Sequence, residues 1–285
     1  MLSLQNISAG YGGGLVLRNV TADIGAGEFV GMVGPNGCGK TTLLRVISGV
    51  LPFREGRVQF GNRNVGDIGR RELARTMAYL MQNLSLDLDF TVREVALMGR
   101  SPHVPRLGGE TEKDFQITQR AMDLADVSHL ADRPITEVSG GERQRAFIAM
   151  CLAQEPEVFL LDEPTSHLDI GHQLSILDLI ARLNRQTGVT VIAVFHDLNL
   201  AAEYCRRLLV LDRGCIAASG TPLEVLTPEI VAKVYGATVR IERNPLSDKP
   251  HVVVAAGMND AGRQQAARPP ALGRKATTAS TEEKP

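Results

Sequence analysis

A glycine-rich segment near residue 34 has the residue types and the spacing that bind phosphate groups. Residues 34–41 read Gly-Pro-Asn-Gly-Cys-Gly-Lys-Thr between an apolar run and a helical pattern. Glycines let the backbone curve closely around phosphate with its N–H groups inward, and the helix start adds positive potential. The lysine supplies a charge for the β- and γ-phosphates, and the threonine supplies a hydroxyl for Mg²⁺. The expected nucleotide-binding residues are Gly34, Pro35, Asn36, Gly37, Cys38, Gly39, Lys40, Thr41 and Thr42.

Two adjacent acids follow a segment that reads as a buried strand. Residues 158–161 are wholly apolar and lead directly into Asp162 and Glu163. Carboxylates at the end of a buried strand are costly unless a cation or hydrogen bonds compensate, and ligands of open parallel sheets lie at these strand ends. We therefore expect Asp162 to help hold Mg²⁺ and Glu163 to act as a catalytic base that orients and polarises water. An ordinary acidic turn is the alternative.

A second helix start with anion-binding character lies between these two motifs. Residues 139–142 read Ser-Gly-Gly-Glu and open an apolar helical segment. Serine is a favoured helix cap and glycines expose backbone N–H groups, so this helix start could bind an anion. On its own such a sequence is more often a plain helix entry. The phosphate-binding segment alone likewise does not separate an ATPase from a kinase or a GTPase.

Strands and helices alternate along the chain around these motifs. The alternation predicts a mostly parallel sheet with helices on both faces. A helical block at residues 92–153, with a loop at 99–109, interrupts the alternation and is expected to form its own lobe. Residues 258–285 lack large apolar side chains and are expected to be a disordered tail. Strands are expected at residues 2–7, 28–33, 77–81, 158–161 and 189–195, and helices at 40–50, from 142, around 174–183 and at 227–235.

The composition and net charge argue against a general nucleic-acid binder and against a membrane-spanning chain. Lys+Arg total 31 against 32 Asp+Glu, whereas general nucleic-acid binders usually carry a basic excess. The cysteines form neither a CxxC pair nor a zinc-ligand spacing, which indicates buried, reduced side chains. No apolar run reaches the ~20 residues that span a bilayer, and the first residues do not resemble a signal peptide. We therefore expect a cytoplasmic chain without a nucleic-acid partner, whose role at a membrane would need another subunit.

Taken in order, these motifs resemble those of the ABC transporter ATPase family over residues 1–245. The resemblance is carried by residues 34–41, 138–142 (Val-Ser-Gly-Gly-Glu), 161–164 (Leu-Asp-Glu-Pro), 166–169 (Ser-His-Leu-Asp) and His196. It implies an α/β P-loop NTPase with a mostly parallel sheet, an antiparallel β subdomain and an inserted α-helical subdomain at about residues 92–153. Residues 246–257 would be a C-terminal extension.

The resemblance also implies a head-to-tail homodimer with ATP and Mg²⁺ between its two copies. Each ATP would be held by the phosphate-binding segment of one copy and by Ser139, Gly140 and Gly141 of the other, with Glu142 beside them. Val138 and Glu142 stand where the family most often has Leu and Gln. Valine keeps an apolar anchor and an acid suits the first turn of a helix, so we expect function to be retained with an altered grip on the γ-phosphate.

Four further residues match positions with roles in this family. His196 looks like the histidine that contacts the γ-phosphate and positions the water, and Gln82 like the glutamine that touches Mg²⁺ and senses the membrane partner. Tyr11 corresponds to the aromatic residue that stacks on adenine. Asp169 resembles the aspartate that crosses the dimer interface, and it could also cap the following helix. Each has a plain structural alternative as a strand-end or turn residue. Thr41, Gln82 and Asp162 would then surround the Mg²⁺.

Three segments are similar to those of importers of iron–siderophore complexes, haem and cobalamin: residues 91–103, 168–173 and 196–201. This similarity implies two transmembrane permease subunits, an extracytoplasmic substrate-binding protein, and a peripheral position on the cytoplasmic face of the cell membrane. An ATPase for another cargo or for an exporter is the second hypothesis. A soluble ABC ATPase of translation or DNA repair and a P-loop kinase are disfavoured by the single cassette, the short spacing between motifs and the Ser-Gly-Gly-Glu sequence.

Overall fold

The computed structural model describes residues 1–82, 84, 89–105 and 107–254. The tail expected at residues 258–285 lies outside these residues, as does the end of the extension expected at 246–257. The longest described helix has 18 residues, and none of the helices in the described ranges combines the length and apolarity needed to cross a membrane.

The described residues form twelve strands and nine α-helices, together with two short 3₁₀ turns. The strands are β1 (Leu2–Ala9), β2 (Leu17–Ile24), β3 (Phe29–Val33), β4 (Glu55–Phe60), β5 (Arg63–Asn64), β6 (Met77–Leu80), β7 (Val158–Leu161), β8 (Thr190–Val194), β9 (Arg207–Asp212), β10 (Cys215–Gly220), β11 (Val239–Arg243) and β12 (Pro250–Val254). The helices are α1 (Lys40–Ile47), α2 (Arg70–Thr76), α3 (Val92–Met98), α4 (Glu112–Ala125), α5 (Gly140–Ala153), α6 (Ile170–Thr187), α7 (Leu198–Tyr204), α8 (Pro222–Val225) and α9 (Pro228–Tyr235). The 3₁₀ turns are Val65–Asp67 and Ser128–Leu130.

A six-stranded sheet in the order β10-β9-β3-β8-β7-β6 organises the molecule. Its five strands from β9 to β6 run parallel, and β10 closes one edge antiparallel to β9. Because parallel strands end at the same edge, the residues that follow β3, β7 and β8 are brought together there. The predicted mostly parallel sheet is confirmed.

The central strands are buried on both faces, which explains their continuous apolar sequences. Phe159 and Leu161 of β7 join the core that contains α5 and α6, whereas Leu160 faces the core that contains α1. Alternate side chains therefore serve two separate hydrophobic cores, one on each face of the sheet.

A second, four-stranded sheet in the order β2-β1-β4-β5 is antiparallel throughout. Asn6 and Asn19, one in each of two paired strands, have φ angles of 52°, and the register between β1 and β2 shifts on either side of Ile7. The apolar residues of this sheet join the core around α1. The antiparallel β subdomain implied by the family resemblance is confirmed.

The helical lobe consists of α3, α4 and α5, which contact one another closely. A buried arginine joins them: Arg100 Nε donates to Asp114 Oδ1 at 2.9 Å, and its Nη1 donates to the carbonyl oxygen of Ala153 at 2.7 Å. Hydrogen bonds from Thr111, followed by that from Arg100, lower the pKa of Asp114 to about 2. The loop between α3 and α4 is thus tied to the end of α5.

A hairpin of β11 and β12 covers α7. The Asn199 side chain accepts a hydrogen bond from Val252 N at 2.7 Å and donates to Val252 O at 3.3 Å, while Lys249 Nζ donates to the last carbonyl oxygens of α7. The hairpin therefore runs across the boundary expected at residue 245 and packs on the helix that follows His196.

Candidate nucleotide site

Residues 34–41, the phosphate loop, connect β3 to the start of α1. Gly34 has a φ of 152°, and a Cβ atom there would lie 2.2 Å from the carbonyl oxygen of Leu211. Gly39, which precedes α1, has a φ of 110°. Both positions demand glycine because a side chain would clash or strain the backbone. The apolar run, the glycines and the following helix thus have the arrangement predicted from the sequence.

Lys40 lies inside this loop and is only 6% exposed. Its Nζ donates to the carbonyl oxygens of Gly34 at 2.7 Å and Pro35 at 3.0 Å. Cys38 is also buried, and this burial raises the pKa of its thiol. The loop therefore surrounds a fixed positive charge at the start of a helix, an arrangement suited to phosphate oxygens.

Asp162 follows β7 and faces the start of α1. Its Oδ1 accepts a hydrogen bond from Thr41 Oγ1 at 3.1 Å, and its Oδ2 accepts one from Tyr79 OH at 3.2 Å. Asp162 is 2% exposed, and burial raises the pKa of its carboxyl group despite these two donors. A buried carboxylate beside a hydroxyl is a suitable pair of oxygen ligands for Mg²⁺.

Glu163 extends from the same strand end with a φ of 54°. Its two carboxylate oxygens contact different partners: Oε2 accepts a hydrogen bond from Gln82 Nε2, and Oε1 pairs with His196 Nε2. Gln82 follows β6, and His196 follows β8. The ends of three neighbouring parallel strands thus supply the three side chains, as the sheet order requires.

These groups surround a cleft of about 510 Å³. That size lies within the usual range of small-molecule sites, which is roughly 300–1,000 Å³. All of its lining residues except Val16 are predicted site residues: Asn36, Gly37, Gly39, Lys40, Thr41, Thr42, Gln82, Glu163 and His196. A carboxylate, a lysine and two threonine residues therefore share one cleft, and Asp162 lies beside it through its contact with Thr41.

Tyr11 is 47% exposed and does not line this cleft. Arg45 of α1 donates from Nη1 to the Tyr11 hydroxyl at 2.9 Å, and Arg54 donates to the carbonyl oxygen of Gly12. Two arginines therefore tie the Tyr11 turn to its surroundings and leave an exposed aromatic ring close to α1.

Residues 139–141, the serine–glycine turn, begin α5. Ser139 and Glu142 form a capping box, in which Ser139 N donates to Glu142 Oε2 at 2.8 Å and Glu142 N donates to Ser139 Oγ at 3.3 Å. Hydrogen bonding of the carboxyl group to Ser139, first to its backbone N–H and then to its side chain, lowers the pKa of Glu142. The helix starts two residues before the predicted Glu142 because Ser139 caps it. The Glu142 carboxylate is engaged within its own turn.

Asp169 caps α6, as one of its two predicted roles requires. Its Oδ1 accepts a hydrogen bond from His172 N at 2.9 Å, and its Oδ2 lies 2.8 Å from His172 Nδ1. These contacts lower the pKa of Asp169, the backbone N–H having the larger effect. The serine–glycine turn packs against this region, with Leu168 beside Gly140 and His172 beside Gly141. Neither the turn nor Asp169 lines the cleft.

The predicted residues thus lie in three places: in or beside the cleft, at the serine–glycine turn with Asp169, and, for Tyr11 alone, in an exposed turn beside α1. Their individual roles stay predictions. Sequence reasoning did not single out Tyr79, Arg45 and Val16. The Tyr79 hydroxyl donates to Asp162, which is 83 residues away in sequence. Arg45 donates to Tyr11, which is 34 residues away. A polar residue in a buried strand and an arginine on the helix after the phosphate loop are weak signals, and neither identifies its partner.

Comparison with known proteins identifies the family. The model of the ABC transporter family matches residues 17–166. The chain is 41% identical over 249 residues to the ferric enterobactin transport ATP-binding protein of Escherichia coli, covering 87% of this chain and 92% of that protein. It is 42% identical over 248 residues to the hemin import ATP-binding protein of Rhodococcus jostii, covering 86% and 83% of the two chains.

A solved structure agrees with these relatives. A dimeric ATP-binding cassette in a post-hydrolysis state, bound to ADP and Pi, superposes with a TM-score of 0.68 at 30% identity, over 78% of this chain and 99% of that chain. The resemblance and the P-loop NTPase fold predicted from the sequence are confirmed. The chain therefore belongs to the ABC transporter family.

Proposed function

We propose that this chain is the ATP-hydrolysing subunit of an ABC importer for an iron chelate, such as a ferric siderophore or haem, or for cobalamin. It works as a homodimer on the cytoplasmic face of the membrane, bound to two permease subunits that receive cargo from an extracytoplasmic binding protein. Nucleic acid has no part in this function. ATP binding closes the dimer and pulls on the permease, and hydrolysis resets both.

One observation carries this proposal: the serine–glycine turn does not line the cleft. The cleft contains the phosphate loop, Glu163 and His196. The serine–glycine turn, whose helix start suits an anion, contacts the Asp169 region instead. A second copy in head-to-tail orientation would bring its turn to the cleft and complete the site. The dimeric form of the related cassette supports this arrangement.

The cleft fits a nucleotide with bound Mg²⁺. Lys40 neutralises β- and γ-phosphate oxygens, and the first N–H groups of α1 donate to them. The Thr41 hydroxyl and the Asp162 carboxylate, 3.1 Å apart, supply oxygen ligands. When bound, Mg²⁺ neutralises charge that develops on the phosphate oxygens. The exposed Tyr11 ring stacks on the base.

Glu163 performs the proton transfer. Its carboxylate takes a proton from water while the water oxygen forms a bond to the γ-phosphorus. The bond between that phosphorus and the bridging oxygen of ADP breaks, and its electron pair stays with ADP. Gln82 and His196 contact the two carboxylate oxygens and fix their direction, which holds the base where it can reach the water.

The class of cargo is inferred from the relatives. One is a ferric enterobactin transport ATP-binding protein and the other a hemin import ATP-binding protein, so both belong to transport systems for iron chelates. No group of three or more His, Cys, Asp or Glu side chains in the described ranges could hold a metal ion. In the proposed complex the cargo crosses the membrane through the permease, so this subunit needs no cargo site of its own.

ATP-dependent dimerisation tests the proposed composite site. In an E163Q background, which slows hydrolysis, ATP should convert the monomer to a dimer in analytical ultracentrifugation. Adding Ser139→Arg should leave ATP binding to the monomer unchanged and abolish the dimer. Thr111→Arg is the matched control because Thr111 caps α4 with the same kind of capping box in the same lobe. Dimerisation of the Ser139→Arg variant would exclude the cross-subunit site.

Uptake by cells that lack this chain tests the class of cargo. Ferric enterobactin, haemin and cobalamin are supplied separately, each with a radioactive metal. We expect loss of uptake for at least one of the three, restored by the wild-type chain and not by E163Q. Unchanged uptake of all three would refute the cargo assignment while leaving the ATPase assignment intact.

A further inference from the structure

His172 lies in a segment similar to those of iron-chelate importers, yet the proposed mechanism gives it no role. It belongs to the first turn of α6, and its side chain is 52% exposed. One edge of its ring is fixed by Asp169, whose Oδ2 lies 2.8 Å from Nδ1. An exposed pair of this kind contributes little to the stability of a single chain. The pair is therefore better explained by a role in holding the His172 ring in a fixed position.

The opposite edge of the same ring rests on Gly141. A Cβ atom at Gly141 would lie 2.3 Å from His172 Cδ2 and 3.1 Å from Nε2. Real Cβ atoms do not approach other atoms so closely, so the ring occupies the space of a missing side chain. Gly140 is adjacent, and a Cβ atom there would be 3.5 Å from Leu168 Cδ2. The imidazole thus bridges the serine–glycine turn and Asp169.

We propose that His172 is a positioning residue that joins the serine–glycine turn to Asp169, so that both meet the second copy as one rigid surface. This inference rests on the proposed composite site. Association is more favourable when the groups that contact a partner are already ordered, because less conformational freedom is lost on binding. Without the imidazole, the turn and Asp169 would have to be ordered separately during dimer closure.

The structure separates this role from simple helix capping. Asp169 Oδ1 caps α6 by accepting from the backbone N–H of residue 172, and any substitution except proline keeps that donor. Replacing His172 therefore removes only the contacts of the ring. The turn has its own capping box, so both helix starts survive the substitution and the lost function can be assigned to the bridge between them.

Three substitutions at His172 test its contact with Asp169 and its contact with Gly141 separately. ATP-dependent dimerisation of each is measured in the E163Q background. His172→Ala removes both contacts and should raise the ATP concentration for half-maximal dimerisation about tenfold, equivalent to ~1.4 kcal/mol. His172→Asn keeps a donor for Asp169, and His172→Phe keeps a flat ring on Gly141. Each of these two variants should therefore dimerise at a lower ATP concentration than His172→Ala. ATP affinity of the monomer should not change in any of them.

Gln186→Ala is the matched control, since Gln186 is exposed on the same helix, roughly 21 Å from His172 at 1.5 Å per residue. It should dimerise like the parent. If His172→Ala also dimerises like the parent while Ser139→Arg does not, the bridge is excluded and the composite site stands. If Ser139→Arg dimerises as well, the proposed function itself fails.

A steric test of the same contact uses the monomer. Gly141→Ala adds a methyl group against the ring and should lower the thermal midpoint. Combined with His172→Ala, the same methyl group should cost much less because the ring is gone. Equal losses in the two backgrounds would show that His172 does not contact the turn in solution, and this would overturn the proposal.

Discussion

Replacement of Glu163 by glutamine is the most informative single perturbation of the proposed chemistry. The side chain is 10% exposed, and both carboxylate oxygens have partners in Gln82 and His196. Glutamine has the same shape and can keep one of these contacts, but it cannot accept the proton. A positioned general base contributes about 10²–10⁴-fold to a rate, so the barrier should rise by roughly 3–5 kcal/mol.

ATP binding should not be weakened by the same substitution, although turnover is slowed. Glu163 lines the same cleft as Lys40 and Thr41, so loss of its charge removes repulsion toward the γ-phosphate and should leave ATP affinity equal or tighter. We expect slow turnover, unimpaired binding and accumulation of an ATP-bound dimer. Phosphate release gives the turnover rate, equilibrium titration gives the affinity, and ultracentrifugation gives the dimer.

Glu157→Gln serves as the control for this substitution, because Glu157 precedes β7 and Glu163 follows it. It makes the same chemical change at the opposite end of one strand and should leave turnover unaffected. A turnover rate for E163Q within about threefold of wild type, well below the expected 10²-fold, would refute the assignment of Glu163 as the base.

Three further substitutions test the supports of the site and of the lobe. Lys40→Ala removes the buried charge of the phosphate loop, so titration should show ATP affinity weakened at least tenfold, about 1.4 kcal/mol; unchanged affinity would contradict the loop assignment. Tyr79→Phe removes the hydrogen bond that the Tyr79 hydroxyl donates to Asp162, and it should raise the Mg²⁺ concentration for half-maximal turnover several-fold. An unchanged Mg²⁺ concentration would show that Asp162 does not bind the cation. Asp114→Ala leaves Arg100 without its buried carboxylate partner, and urea unfolding should show a loss of roughly 3 kcal/mol, whereas a loss under 1 kcal/mol would mean that the pair is not desolvated.

Elements with strong local signals could be predicted from the sequence. The sequence predicts β7 at the residues where it is found, and β8 within one residue at either end, because strands buried on both faces are continuous apolar runs bounded by polar residues. The phosphate loop was equally clear, since its glycines and lysine are adjacent in sequence. Glu163 and His196 could be brought together by the rule that parallel strands end at one edge.

β2 shows why other elements could not be predicted. Its buried residues Leu17, Val20 and Ile24 follow helical spacing rather than strand alternation. The left-handed backbone at Asn19, with a φ of 52°, interrupts the two-residue period. Only pairing with β1 makes this segment a strand, and such pairing is not visible in a local pattern.

The supporting contacts of the site are hidden for a similar reason. Tyr79, Arg45 and His172 act through side chains that are distant in sequence or on another helix. Spacing along the chain gives no sign that the His172 ring fills the space beside Gly141. Sequence motifs predict the groups that would touch the nucleotide, and the structure shows which side chains hold those groups in place.

Mixing two differently disabled variants tests most directly whether two copies form each nucleotide site. Lys40→Ala damages the phosphate loop and Ser139→Arg damages the serine–glycine turn, so neither variant alone has an intact composite site. A head-to-tail dimer of one copy of each contains one site built from an intact loop and an intact turn. We therefore expect ATP turnover of an equal mixture to exceed the summed turnover of the separate variants several-fold. Turnover equal to that sum, with Ser139→Arg alone as active as wild type, would contradict it.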